Sequence, residues 1–215
     1  PIWIDLFIPK GTIGGKYTGD IYVTQYDKNI DSLKIEVKVH NFTLPDETPL
    51  ITYMNISRWQ LSMFYKKPYS SGEIEKLTQV YYDKLYSSRM EPWFNDLLIP
   101  NVKVVGSEVE LFMDDEKYNY FLNELKTKRV LLPEFPSNLA EQILVEPFTD
   151  EFNKIIKSYL SQIESYFIQN GWQDKLVFNS PIDEPRSLKD YEDTRKWASL
   201  VKEATNNVPF LVTRT

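Results

Sequence analysis

The chain has 215 residues, is 42% hydrophobic and carries a formal charge of −6, enough apolar material to bury a core in one or two domains. There is no basic run or Lys/Arg stripe for a phosphate backbone to bind, which argues against nucleic acid as a partner. No apolar run approaches the roughly 20 residues of a membrane span. Cysteine is absent and His40 is the single histidine; disulfides, thiolate chemistry, a His-based triad and a multi-histidine metal site are therefore excluded, and no cofactor is implied.

Residues 1–45 read as antiparallel β structure. Ile2, Ile4, Leu6 and Ile8 alternate with Trp3, Asp5 and Phe7, a period of two that ends at Pro9. Gly11 and Gly14-Gly15 supply a turn. Tyr17–Tyr26 forms a second predicted strand. Leu33, Ile35, Val37 and Val39, alternating with Lys34, Glu36, Lys38 and His40, form a third with one wet face. Three such strands are the material of a β-sandwich's end rather than a whole one.

From Pro49 onward strands and helices alternate, as in a parallel α/β fold. Leu50–Ile56 is a predicted strand. Ser70 and Glu73 form a capping box before a helix with Ile74, Leu77, Tyr81 and Leu85 on one face. Val102–Met113 is strand-rich and broken at Gly106. Asp114 caps the next helix, and Asp114-Asp115-Glu116 needs no metal in that position. Arg129–Phe135 is a short strand. Thr149 caps a long helix that keeps helical spacing from Phe152 to Phe167 and stops at Gly171. A strand from Lys175, a helix capped by Ser187 and a strand at Pro209–Val212 follow.

These elements predict parallel strands near 50–57, 129–135, 175–180 and 208–213, or roughly four β/α units and a further strand. A closed barrel takes eight units and about 250 residues. The expected fold class is α/β, with 46–215 as the N-terminal half of a (β/α) TIM-type barrel, cut off part-way, behind a few antiparallel sandwich-like strands. A half barrel exposes the flanks of its end strands, so other protein chains or residues outside this sequence are expected to cover that edge. The chain begins at Pro1 rather than Met, which leaves any targeting segment upstream; the setting favoured is extracellular or cell-surface.

Asp183-Glu184-Pro185 is the motif that carries most chemistry. Two adjacent carboxylates sit where a strand gives way to a helix, and a (β/α) enzyme places its catalytic groups there. Abutting negative charges repel, so such a pair suits a site with something cationic or reactive between them. The same two residues could instead decorate the entrance of a helix, where negative charge suits the dipole. Pro181 and Pro185 interrupt regular strand geometry, which would let both side chains serve one substrate. Trp59 and Arg58, just past the first α/β strand, and Glu134, at the end of a short one, would reach the same mouth as substrate-binding residues. Trp197 fits the inner face of its helix and is expected in the core.

Beyond these local signals, Pro1-Ile2-Trp3-Ile4-Asp5-Leu6-Phe7-Ile8-Pro9-Lys10 and Gly15-Lys16-Tyr17-Thr18-Gly19 resemble the last sandwich strands before the barrel in glycoside hydrolase family 123 and its uncharacterised relatives. Gly171-Trp172, Asp174-Lys175, Asp183-Glu184-Pro185, Asp190-Tyr191 and Leu200-Val201-Lys202-Glu203-Ala204 look like that family's fourth barrel strand and following helix. The resemblance implies a carbohydrate partner and hydrolysis of β-linked N-acetylhexosaminides by substrate assistance, in which the sugar's own acetamido oxygen attacks the anomeric carbon. By the same resemblance Asp183 would orient the acetamido N–H, and Glu184 would protonate the leaving oxygen and later deprotonate water. The alternative is a non-catalytic structural or carbohydrate-binding component built on a glycosidase-like fold, since one fold hosts many functions.

Overall fold

The structure is a computed structural model that describes residues 3–45, 50–66 and 69–213. They divide into two compact units, Pro1–Pro49 and Leu50–Thr215.

The first unit is a two-stranded antiparallel ribbon, β1 (Gly15–Gln25) and β2 (Lys28–Val39). Tyr26 and Asp27 join them with φ of 49° and 61°, the doubly left-handed turn whose twist matches that of the strands. The register sets Tyr17 opposite Val37, Gly19 opposite Ile35 and Ile21 opposite Leu33. One face is therefore apolar. Lys16, Thr18 and Asp20, opposite Lys38, Glu36 and Lys34, make the other face wet. The strand expected at the start of the chain does not form: residues 3–9 take no strand conformation, and Trp3 and Phe7 are 90% and 88% exposed. Alternation gives a segment an apolar face but not the ladder of backbone partners that a strand requires. Ile2 lies outside the described residues, as do residues 46–49.

The second unit is mixed α/β, and its sheets do not close into a barrel. β3 (Tyr53–Met54) is followed by α1 (Arg58–Tyr65), α2 (Ser71–Ser87) and β4 (Glu91–Pro92), and β4 pairs parallel with β3. The expected strand over 50–57 shrinks to two residues because Ser57 and Gln60 close a capping box that turns the chain into α1. The next two strands, β5 (Asn101–Val105) and β6 (Glu108–Phe112), form an antiparallel hairpin turning at Gly106, whose φ is +62°. After α3 (Asp115–Asn119) the helix widens into one π turn over Tyr120–Glu124. Then come β7 (Val130–Pro133), the short α4 (Ser137–Ala140), α5 (Asp150–Gln169), β8 (Leu176–Asn179), α6 (Leu188–Ala204) and β9 (Phe210–Leu211). The strands β7, β8 and β9 lie side by side, all parallel.

Alternation along β7 and β8 assigns their two faces. Val130, Leu132, Leu176 and Phe178 enter one apolar cluster with Phe152, Ile156, Tyr159 and Ile163 of α5 and Trp197, Leu200 and Val201 of α6. Leu131 and Val177 are buried but stand outside that cluster, on the opposite face. Trp197 packs against Phe135, Phe148 and Phe152. Trp172 is buried too, and its Nε1–H donates to Asn123 Oδ1 at 3.1 Å.

The entrance to α6 follows directly on the Asp-Glu-Pro motif. Ser187 Oγ accepts from the Asp190 N–H at 3.1 Å, and the Asp190 carboxylate accepts from the N–H groups of Ser187 at 2.8 Å and Arg186 at 3.0 Å. Those backbone hydrogen bonds hold the Asp190 carboxyl below its usual range. Ser187→Ala removes the cap and is expected to destabilise the chain by about 1 kcal/mol, measured as a shift of the urea midpoint at constant slope. An unchanged midpoint would mean that the cap adds nothing.

Candidate functional site

β8 ends at Asn179, and the chain then abandons strand geometry. The Ser180 hydroxyl accepts from the Ile182 N–H at 3.1 Å, and Glu184 takes the left-handed conformation with φ 49°. Few non-glycine residues adopt that conformation. Something must hold it, and Thr213 does so from two residues beyond β9. Its hydroxyl accepts from the Glu184 N–H at 3.1 Å and donates to Asp183 Oδ1 at 2.5 Å. The Glu184 carboxylate meets the guanidinium of Arg186, also at 2.5 Å.

Asp183 and Thr213 line a hollow of about 600 Å³ together with Asn55, Trp93, Phe94, Pro133, Asn179, Ser180 and Pro181. The chain positions of these residues are informative. Asn55 follows β3, Trp93 and Phe94 follow β4, Pro133 ends β7, Asn179 to Asp183 end and follow β8, and Thr213 follows β9. Two sheets, each parallel within itself, therefore deliver the C-terminal ends of their strands to one hollow, the side on which (β/α) enzymes build their sites. The aromatic wall is braced from within. Tyr53 packs edge-on against Trp93 with centroids 5.1 Å apart, and the buried Tyr82 hydroxyl lies 3.2 Å from the Ile56 carbonyl and 3.0 Å from that of Phe94.

A second hollow of about 590 Å³ shares Phe94 and Pro133 with the first. Arg58, Asp96, Lys117, Phe135 and Asn138 are among its lining residues. The Arg58 N–H donates to the Asp96 carboxylate at 2.8 Å. Burial pushes the Asp96 carboxyl up from its ordinary value, and Arg58 offsets part of the rise. Lys117 is held between Glu75 at 2.6 Å and Asp114 at 3.0 Å.

The residues singled out in the sequence are thus dispersed. Asp183 faces the first hollow, while Glu184 is turned to Arg186 and is not among the residues lining that hollow. Arg58 faces the second hollow; Trp59, beside it on α1, is 69% exposed and lines neither. Glu134 lines neither as well. One residue past β7, it shares the parity of Leu132 and points to the helix side, where its carboxyl is fully buried near Tyr159 and neither oxygen has a hydrogen-bond partner. That burial pushes the Glu134 carboxyl up to about 9.

Sequence reasoning missed Thr213, Asn55 and the Trp93-Phe94 pair. Only the last left a signal, two adjacent aromatics directly after a proline.

No family model matches the chain, and no curated protein does. Among solved structures it is similar to a family 123 glycoside hydrolase from Clostridium perfringens, described for the hydrolysis of glycolipid glycans. The TM-score is 0.61 at 17% identity, covering 97% of this chain and 42% of that one. At that identity the likeness is one of fold. The chain spans less than half the length of the hydrolase it resembles.

Proposed function

We propose that residues 50–213 form half of a (β/α) barrel in a glycoside hydrolase-like protein acting on β-linked N-acetylhexosaminides. One observation carries this reading: the strands of two parallel sheets bring their C-terminal ends to a single hollow that holds Asp183, on a fold similar to that of a family 123 glycoside hydrolase. The sugar ring lies in that hollow against Trp93 and Phe94, whose faces suit the apolar face of a pyranose. Asp183 accepts a hydrogen bond from the acetamido N–H and so turns the acetamido carbonyl oxygen towards the anomeric carbon. Glu184 parts from Arg186, takes up a proton from solvent and gives it to the leaving oxygen as the C–O bond breaks, and the carboxylate so formed then takes one from the water that opens the cyclised intermediate. Arg58, which lines the second hollow, contacts the leaving group, and Trp59, exposed beside it on α1, offers a ring to a part of the substrate that extends beyond both hollows.

The test compares aryl N-acetyl-β-hexosaminides with the corresponding plain hexosides on the full-length protein. Cleavage of the first and none of the second is expected, because without the acetamido group there is no internal nucleophile. Equal rates on both would sink the assignment.

The ion pair between Glu184 and Arg186 favours a second reading, in which the hollow binds an N-acetylhexosaminide without cleaving it. Saturation-transfer NMR that detects the bound sugar in a protein that releases no product is the outcome expected on this reading.

A further inference from the structure

We infer that Thr213 is the positioning residue of this site, fixing Asp183 and Glu184 relative to each other through a single hydroxyl. The inference rests on the reading that Asp183 and Glu184 work as a pair on one substrate.

The argument begins with what adjacency alone cannot do. Two consecutive residues on an extended chain point to opposite sides, so a working Asp-Glu pair needs the backbone between them bent and kept bent. The bend is present: Glu184 stands at φ 49°, a conformation that a side chain with a Cβ does not favour. Local sequence supplies little to hold it. Pro185 constrains its own φ and restricts Glu184, but it offers no hydrogen bond to either carboxylate.

Thr213 provides the missing restraint from 29 positions further along the chain. A hydroxyl has one proton to give and lone pairs to receive with. Here the proton goes to Asp183 Oδ1 at 2.5 Å, and a lone pair takes the Glu184 N–H at 3.1 Å. Giving the proton to Asp183 also makes the oxygen a better acceptor for the Glu184 amide, so the two bonds reinforce each other. With Oδ1 engaged, Asp183 is left with Oδ2 for a substrate N–H, in a rotamer that no longer drifts. β9 brings Thr213 to this place. Its parallel pairing with β8 sets Leu211 against Asn179, and the Ser180 N–H donates to the Leu211 carbonyl at 2.9 Å, so the ends of the two strands are tied directly below the clip.

The experiment uses Thr213→Val, which keeps the shape and loses the hydroxyl, and Thr213→Ser, which keeps the hydroxyl. Two readouts are taken on the full-length protein. The first is the Glu184 amide by NMR. It is expected to move upfield and to exchange with solvent at least tenfold faster in Thr213→Val, and to stay near its original position in Thr213→Ser. The second is turnover of an aryl N-acetyl-β-hexosaminide. Thr213→Val is expected to lower kcat by roughly 10²-fold, the scale of a misplaced catalytic group. KM should change little, and Thr213→Ser should recover most of the rate.

If the parent turns over substrate and Thr213→Val matches it, the inference fails while the proposed activity stands. If the parent cleaves no N-acetylhexosaminide, the activity fails and the amide decides the inference by itself: movement in Thr213→Val and not in Thr213→Ser supports the clip, and an unmoved amide overturns it.

Discussion

Glu184→Gln is expected to lower kcat/KM on N-acetylhexosaminides with poor leaving groups by about 10²–10⁴-fold, the usual contribution of a positioned proton donor. Substrates with activated leaving groups, which depart without a proton, should lose much less. Asp183→Asn is expected to slow both kinds together. On the proposed mechanism it removes the acceptor that holds the acetamido nucleophile in attack geometry, an effect that operates before any proton moves. The contrast between the two variants across a leaving-group series is the informative measurement. A single-substrate comparison would show two damaged proteins and no division of roles. Because Glu184 is paired with Arg186 at 2.5 Å, Arg186→Ala offers a third arm. If the pair has to part before chemistry, that variant should retain turnover. If it loses turnover as fully as Glu184→Gln, Arg186 belongs to the machinery itself.

Replacing the buried carboxyl of Glu134 with an apolar side chain of similar length, as in Glu134→Met, is expected to stabilise the protein at neutral pH by about 3 kcal/mol. Burial raises the folded-state pKa of Glu134 to about 9, against an ordinary 4.5 in the unfolded chain. Folding therefore takes up a proton. Below pH 4.5 the group is protonated in both states and costs nothing through this route. Above it the unfolded chain gains by ionising while the folded chain does not, and stability falls steadily until the pH passes about 9. Glu134→Met should flatten that slope, so the part of the variant's advantage that comes from proton uptake grows from near zero at pH 4.5 to its full size around pH 9. Urea unfolding at pH 5, 7 and 8.5 measures it. A gain of the same size at all three values would point to better packing and away from proton uptake. Glu134→Gln should flatten the slope as well, with a smaller gain, because the amide is also buried without partners.

The parts of this chain that could be read in advance are those whose cause is local. Ser70, Thr149 and Ser187 cap helices within three residues of themselves, and each does so in the structure. Gly171 follows the end of α5 with φ +73°. The alternation in residues 33–39 and the apolar runs at 130–133 and 176–179 likewise carry their own signal, and so does the break that two prolines place around Asp183-Glu184. What escaped was decided at a distance. β3 and β4 are two residues each and exist only because they pair across 38 positions; neither is long enough to show a period. Ser57 and Gln60 do spell a capping box, but the apolar stretch before them suggested a longer strand. Glu134 follows the end of a short strand but lies on the face turned away from the hollow, a distinction of one residue in strand parity. Thr213 has no motif of its own, and its role follows only from the β8–β9 pairing.

Glu91 has a mechanical consequence of its own. Its carboxylate accepts from the backbone N–H of Lys128 at 2.9 Å and of Arg129 at 3.5 Å, so where β7 begins a side chain stands in for a neighbouring strand. Among the described residues no backbone ladder joins the β3–β4 pair to the β7–β8–β9 sheet. The wall of the hollow therefore has a seam. Asn55, Trp93 and Phe94 belong to one plate, and Pro133, Asn179, Asp183 and Thr213 to the other. A ladder resists sliding because every step must break at once, whereas a carboxylate on rotatable bonds can follow two amides through small displacements. Any displacement of the aromatic wall relative to the wall that carries Asp183 would be taken up along this line, at the Glu91 carboxylate.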